Sequence, residues 1–383
     1  MKYSIFSTIL VFLFLILMGG CDRPEIIKPS GNTIKIGVIG PFSGPDRAMG
    51  EDGLRGIQTV MHMHPYLGNG DRVELVIEDD KNEPDLSLNG LKKLATEDEV
   101  SSILFLSSSA PGLAVNGLAD SYQIPVLVLL ASHPDIAKEK KYVSQLIFDN
   151  IFQGRVAALF VRDELLIDRV AVFQNPKSFH STSLAKEFIR KFEDIGGSIA
   201  ANIQVTDATD DLEETLERLQ KTKTQLLYLP VEVEDFIRIS TVLEEMDWAP
   251  ERMGSDGLVA GVLRQHPEET NLLEGAIEID LYAQDIQGTP FGKRAGKIYQ
   301  KLFDKPGNSF TGIGVEGYAI LQQSMNSCTR PGDGQCINSM IHNMDNFEGI
   351  MGRISIHSDG KAERPLIVNR IRNGRMQFLV KVY

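Results

Sequence analysis

Ile34-Lys35-Ile36-Gly37-Val38-Ile39, running into Gly40-Pro41-Phe42-Ser43-Gly44-Pro45, is the stretch that decides the fold. The first six residues are rich in β-branched side chains, as a strand requires. The next six are turn formers, and helical spacing follows from about Gly50 to His64. Strand, turn and helix in that order open a βαβ unit.

The rhythm repeats along the chain. Residues 72–77 read as a second strand that closes on Glu78-Asp79-Asp80, and residues 84–97 carry helical spacing. Residues 102–106 run into Ser107-Ser108-Ser109-Ala110-Pro111, and residues 124–130 into Ala131-Ser132. Each strand thus leaves a hydroxyl-rich or acidic turn at its carboxyl end, the edge where open α/β sheets bind ligands. After Asn150 the alternation starts again, with strands over 169–173, 198–205, 226–229, 252–254 and 274–281 and helices over 182–195, 211–221, 290–302 and 316–327. The end differs: strands over 352–356, 366–371 and 377–382 are separated by Asp359-Gly360 and Asn373-Gly374, which are hairpin turns. The fold class is therefore α/β with two parallel-type sheets. A chain of 383 residues also exceeds the ~250–300 that one core supports.

The first residues say where the protein works. Lys2, an apolar run over 9–18 and Gly19-Gly20-Cys21 form a charged n-region, an h-region and a small-residue cleavage site. The run is shorter than the ~20 residues that span a bilayer. The formal charge of −13 becomes −14 once Lys2 leaves with the leader, and with no Lys/Arg-rich segment that excludes nucleic acid as a partner. With Cys21 set aside, Cys328 and Cys336 are an even pair in an exported chain and read as a disulfide closing a turn-rich loop. The seven histidines form no ligand-spaced cluster, and His62 and His64 point to different sides of a helix, so no metal site is expected.

Two motifs mislead. Gly312-Ile-Gly-Val-Glu-Gly317 matches the dinucleotide pattern G-x-G-x-x-G, but a loop and not a strand precedes it. Ser183-Leu-Ala-Lys186 matches S-x-x-K without the Lys-Thr-Gly or Ser-Asp-Asn partners of penicillin-recognising enzymes. No cofactor is expected. An envelope hydrolase would need a nucleophile–base pair that the sequence does not assemble.

Gly19-Gly20-Cys21 resembles a lipobox, with Met18 where leucine is usual; this implies a diacylated Cys21 as mature N-terminus. Asp22 resembles the inner-membrane retention signal of enteric bacteria. The whole mature chain resembles the type I periplasmic solute-binding proteins of branched-chain amino acid (leucine/isoleucine/valine) ABC transporters. Carrying the resemblance are residues 36–45, Glu78-Asp79-Asp80, the triple serine 107–109, Ala131-Ser-His-Pro-Asp-Ile136, Gly254-Ser-Asp-Gly257 and residues 347–360, in that order and spacing.

The resemblance implies two Rossmann-like lobes joined by three crossovers, near Asn150, Ala283 and Asn346. Residues 1–20 are then the leader, 21–32 a tether, 33–150 plus 284–346 one lobe, and 151–283 plus 347–383 the other. One small ligand lies between the lobes and no chemistry is performed. Ser109, and Ser132 on the turn it shares with Ala131, would hold the ligand carboxylate. Asp256 would take the ammonium, one methylene shorter than the usual glutamate. An aromatic wall position falls on Phe179 or His180, another on Met49, and a third on Glu232. If Glu232 faces the cleft beside Asp256, the ligand carries more positive charge than leucine; otherwise Glu232 decorates a helix N-terminus. The implied function is a monomeric, lipid-anchored, extracytoplasmic binding protein at the inner membrane, delivering an amino acid-like ligand to membrane permease and ATPase subunits. The alternative is a sensing or regulatory envelope lipoprotein of the same fold.

Overall fold

A computed structural model describes residues 27–206, 212–284 and 288–383. The leader, Cys21 and the first part of the tether lie outside the described residues.

The first sheet is built from β1 (Thr33–Gly40), α1 (Arg47–Met63), β2 (Arg72–Asp79), α2 (Pro84–Thr96), β3 (Ile103–Phe105), α3 (Ser109–Tyr122), β4 (Val126–Val128) and β5 (Val143–Gln145). Its five strands are all parallel, in the order β2-β1-β3-β4-β5. Val38, Leu104 and Leu127 point into one core while Ile39, Phe105 and Val128 point into another. A period of two with both faces buried is why these strands read as nearly continuous apolar runs.

The second lobe repeats the plan through α4 (Asn150–Leu159), β6 (Arg169–Gln174), α5 (Phe179–Asp194), β7 (Ser198–Gln204), α6 (Leu212–Lys221), β8 (Leu226–Leu229), α7 (Val233–Glu245), β9 (Glu251–Gly254), α8 (Leu258–Gln265) and β10 (Ile277–Asp280). The chain returns to the first lobe with α9 (Pro290–Phe303), α10 (Ser309–Asn326) and α11 (Gly334–His342). A small sheet, β11 (Phe347–Glu348), β12 (Arg353–Ile356) and β13 (Ala362–Glu363), precedes the closing hairpin β14 (Leu366–Arg372) and β15 (Arg375–Val382).

The second sheet runs β15-β14-β10-β9-β8-β6-β7, with β14 and β15 antiparallel. Its parallel part, 7-6-8-9-10, has the same order as 2-1-3-4-5, so each lobe has a switch point beside its first strand, where ligands bind. Asn373 and Gly374 both take positive φ, 52° and 67°, as the two-residue turn between β14 and β15 needs. Cys328 and Cys336 are bonded and join the end of α10 to the start of α11.

Two helices begin earlier than their spacing predicts. Ser178 caps α5 by accepting from the Ser181 amide, which draws Phe179 and His180 into its first turn. Asn308 caps α10, so the helix starts at Ser309 and not near Glu316. That places all of the Gly312–Gly317 motif inside a helix, where its glycines serve packing. A Cβ on Gly314 would lie 2.0 Å from the Gly53 carbonyl oxygen, and one on Gly56 would lie 2.2 Å from that of Thr311. The motif is thus the seam along which α1 and α10 meet.

Candidate functional site

The carboxyl edge of the first sheet is organised by the acids that end β2. Asp79 accepts from the Phe42 amide at 2.8 Å and from the Ser43 hydroxyl at 2.6 Å, pinning the turn after β1. Burial raises its pKa, but the Ser43 hydroxyl and the backbone amides outweigh that and hold it below the ordinary value. Asp80 is buried, and its Oδ2 accepts from Ser107 and Ser87, each at 2.5 Å. Here burial wins and the pKa is raised. Asn82 completes the frame: its Oδ1 accepts from the Ser108 amide at 2.9 Å and its Nδ2 donates to Asp46 at 2.8 Å. The first serine of the triple is therefore spent on Asp80, while Ser108 and Ser109 open onto a cleft at the start of α3. Sequence reasoning assigned Asp80 and Asn82 no role; the signal for Asn82 was a left-handed-tolerant residue just before the Glu83-Pro84 helix start.

That cleft has a volume of about 610 Å³ and lies between the carboxyl edges of the two sheets. Ser109, Ser132 and Met49 face it from the first lobe, and Phe179, His180, Glu232 and Asp256 from the second. Ser255, Phe310 and Gln265 also line it and were not singled out from the sequence. The helix N-termini of α1, α3, α5, α7 and α8 all open at this cleft, because each follows a strand's carboxyl end. Ala131, expected with Ser132 among the ligand-binding residues, is not in the cleft lining: its methyl is buried in the first-lobe core and its carbonyl accepts from Gln145 Nε2 at 2.7 Å, while its neighbours Leu130 and Ser132 line the cleft.

Both residues of the Phe179/His180 alternative line the wall, in different ways. Phe179 is half exposed and meets His133 edge-on, 6.1 Å between ring centroids. Burial lowers the pKa of His133, with Asp135 and Asp149 opposing. His180 reaches across: its Nδ1 lies 2.9 Å from Ser132 Oγ, and its Nε2 lies 3.2 Å from Ser255 Oγ and 3.6 Å from Asp256 Oδ1. A serine, a histidine and an aspartate thus stand in a row. The row is not a hydrolytic triad: 3.6 Å is too long for a hydrogen bond and Asp256 Oδ1 accepts none, so the ring bridges two hydroxyls.

Glu232 is the N-cap of α7, yet its carboxylate makes no capping hydrogen bond, and it is exposed to the cleft. The arrangement sets hydroxyls and a helix N-terminus in one lobe against carboxylates in the other. That pairing suits a small molecule with an acidic and a basic end. A second cavity of about 550 Å³ lies beside α9 and α10, but no carboxylate lines it among the described residues. Among those residues there is also no group of three or more His, Cys, Asp or Glu fit to hold a metal, and no helix long and apolar enough to cross a membrane.

Comparison with known proteins agrees with this fold. The sequence profile of a family described as "Periplasmic binding protein" matches residues 33–375. Leu/Ile/Val-binding protein homolog 6 of Brucella abortus (strain 2308) is 24% identical over 195 residues, 51% of this chain and 50% of that protein. The chain spans about half the length of the curated relatives it matches at that level. The leucine binding protein LivK of Thermotoga maritima superposes with a TM-score of 0.83 at 24% identity, covering 91% of this chain and 98% of its own. LivJ of Streptococcus pneumoniae, solved with isoleucine, gives 0.82 at 19%, covering 92% and 100%. At such identities the structural likeness speaks for the fold alone.

Proposed function

The chain belongs to the periplasmic binding protein family, and from that membership we propose that it captures a small amino acid-like solute between its lobes and delivers it to the membrane permease and ATPase subunits of an ABC transporter. It is a solute-binding protein and not an enzyme. One observation carries the ligand reading: Ser109 and Ser132 from one lobe and Asp256 from the other line a single cleft. The hydroxyls and the α3 N-terminus take the carboxylate, Asp256 takes the ammonium, and Phe179, His180 and Glu232 form the wall.

Contacts from both lobes exist together only when the lobes are shut, so ligand shifts an open–closed equilibrium toward the form the permease reads. On this reading the lobes are 33–150 plus 284–346 and 151–283 plus 347–383, the last crossover falling just before β11. Acylation of Cys21 holds the monomer on the periplasmic face of the inner membrane, where it stays beside its transporter.

Isothermal titration of the protein against the proteinogenic amino acids tests the reading, with Asp256→Ala beside it. Asp256 Oδ1 is buried and accepts no hydrogen bond, so removing the carboxylate should weaken amino acid binding about tenfold or more. Unchanged affinity in the variant removes Asp256 from the site.

A further inference from the structure

The cleft carries more negative charge than a neutral amino acid needs. Asp46, Glu232, Glu234 and Asp256 face it, against Lys177 and His180. Asp46 is already engaged, accepting from Asn82, and two of the others have a histidine nearby: His266 lies 3.7 Å from Glu234 and His180 lies 3.6 Å from Asp256 Oδ1. Neither histidine contact is a hydrogen bond, and Asp256 Oδ1 is buried with no hydrogen-bond donor. The Glu232 carboxylate caps nothing and is exposed to the cleft.

Two more acids, Glu278 and Asp280, lie fully buried on β10, outside the cleft lining, and each accepts from a backbone amide, Val259 and Leu281 respectively. Burial first, and then repulsion that includes Asp256, raises the Glu278 pKa well above its usual value and that of Asp280 to about 7, which favours their neutral forms. The negative charge that faces a ligand on the second-lobe side is therefore that of Asp256 and Glu232, with the hydroxyls and the α3 N-terminus opposite. Glu232 stands on that wall, and a cleft of about 610 Å³ leaves room beyond a branched-chain side chain.

Resting on the binding-protein reading above, we propose that the ligand is a dibasic amino acid-like solute. Its carboxylate lies at Ser109 and Ser132, its α-ammonium at Asp256, and its side-chain cation at Glu232. The bound cations compensate a wall that the protein itself leaves short of positive charge.

Titration calorimetry on the full chain with L-arginine, L-lysine, L-ornithine, L-leucine and L-glutamine tests this, in low and high sodium chloride. One of the dibasic amino acids should bind at least tenfold more tightly than leucine. Its affinity should fall with salt more than that of glutamine, because the Glu232 contact is exposed and screened. Glu232→Gln, an exposed change that should leave the melting temperature in place, should weaken the best dibasic ligand about fivefold and leave leucine within twofold. Leucine binding as tightly as every dibasic amino acid, or a variant that loses both alike, overturns the dibasic ligand and leaves the binding protein standing. Absence of binding to all three dibasic amino acids overturns the dibasic ligand, and absence of binding to every proteinogenic amino acid overturns the amino acid-like reading as well.

Discussion

Arg264, on α8 of the second lobe, donates from Nε to Oδ2 of Asp52, on α1 of the first, at 2.7 Å, and the Asp52 carboxylate is fully buried. Three first-lobe donors share that carboxylate: Arg55 at 2.8 Å, Lys305 at 3.2 Å and Asn308 at 2.8 Å. The acid is therefore satisfied without Arg264, which makes Arg264 a contact between lobes and not a support of the first. Arg264→Ala should cost the closed form about 1–2 kcal/mol, the low end for a charged hydrogen bond, since no buried charge is left alone. Small-angle scattering of the ligand-free variant should show a larger radius of gyration, and ligand affinity should drop several-fold because less of the protein is competent. An unchanged scattering profile sinks the latch.

The same pair fixes a pH dependence. Burial raises the Asp52 pKa, but Arg264, Asn308 and Lys305 together outweigh it, leaving the folded value below the unfolded one. A depressed carboxylate contributes stability that is complete above the unfolded pKa of about 3.9 and is lost as pH falls through the folded value. Closure of the ligand-free protein should be flat from pH 8 to 5 and loosen only below about pH 4. Opening between pH 7 and 5 by scattering would assign closure to another group.

Asp80 holds the serine turn by accepting from two buried hydroxyls, so its loss should be felt at the ligand. Asp80→Ala leaves Ser87 and Ser107 without their shared acceptor, a cost of about 1–3 kcal/mol, and frees the turn that presents Ser109. Asp80→Asn keeps one acceptor oxygen for the two hydroxyls and removes a charge whose burial is unfavourable, but sets its amide nitrogen against the Asn82 amide that Asp80 Oδ1 accepts from at 2.9 Å. Urea unfolding should therefore rank the wild type first, asparagine between, and alanine lowest. Equal midpoints for asparagine and alanine would falsify the hydroxyl-anchor account.

What could be read from the sequence depended on distance along the chain. The strand at Ile36, Val38 and Ile39 was legible because a strand buried on both faces must be apolar throughout, and the Asn373-Gly374 hairpin because its turn demands positive φ. The starts of α5 and α10 were not, since Ser178 and Asn308 are ordinary polar residues until their capping bonds form. Ser109, Ser132 and Asp256 were placed through a family pattern that also swept in Ala131, whose side chain turns into the core one residue away from the cleft. The Ser132–His180 bridge joins residues 48 apart and the Asp52–Arg264 contact residues 212 apart; no local spacing encodes either.

Gly314 is where packing between helices is tightest. A methyl there would sit 2.0 Å from the Gly53 carbonyl oxygen and 2.9 Å from its carbon, and both atoms are backbone that moves only if α1 moves. Gly314→Ala should destabilise by about 1–3 kcal/mol or more, as overpacking does. Gly296, on α9, has nothing within 4 Å of its would-be Cβ, so Gly296→Ala should instead stabilise by about 0.5–1 kcal/mol through helix propensity. Urea midpoints of the two variants should move in opposite directions. Because α1 also carries Met49 and Asp52, tilting it should weaken ligand binding in Gly314→Ala and leave binding intact in Gly296→Ala. A Gly314→Ala midpoint equal to wild type would show that the two helices do not meet along this seam.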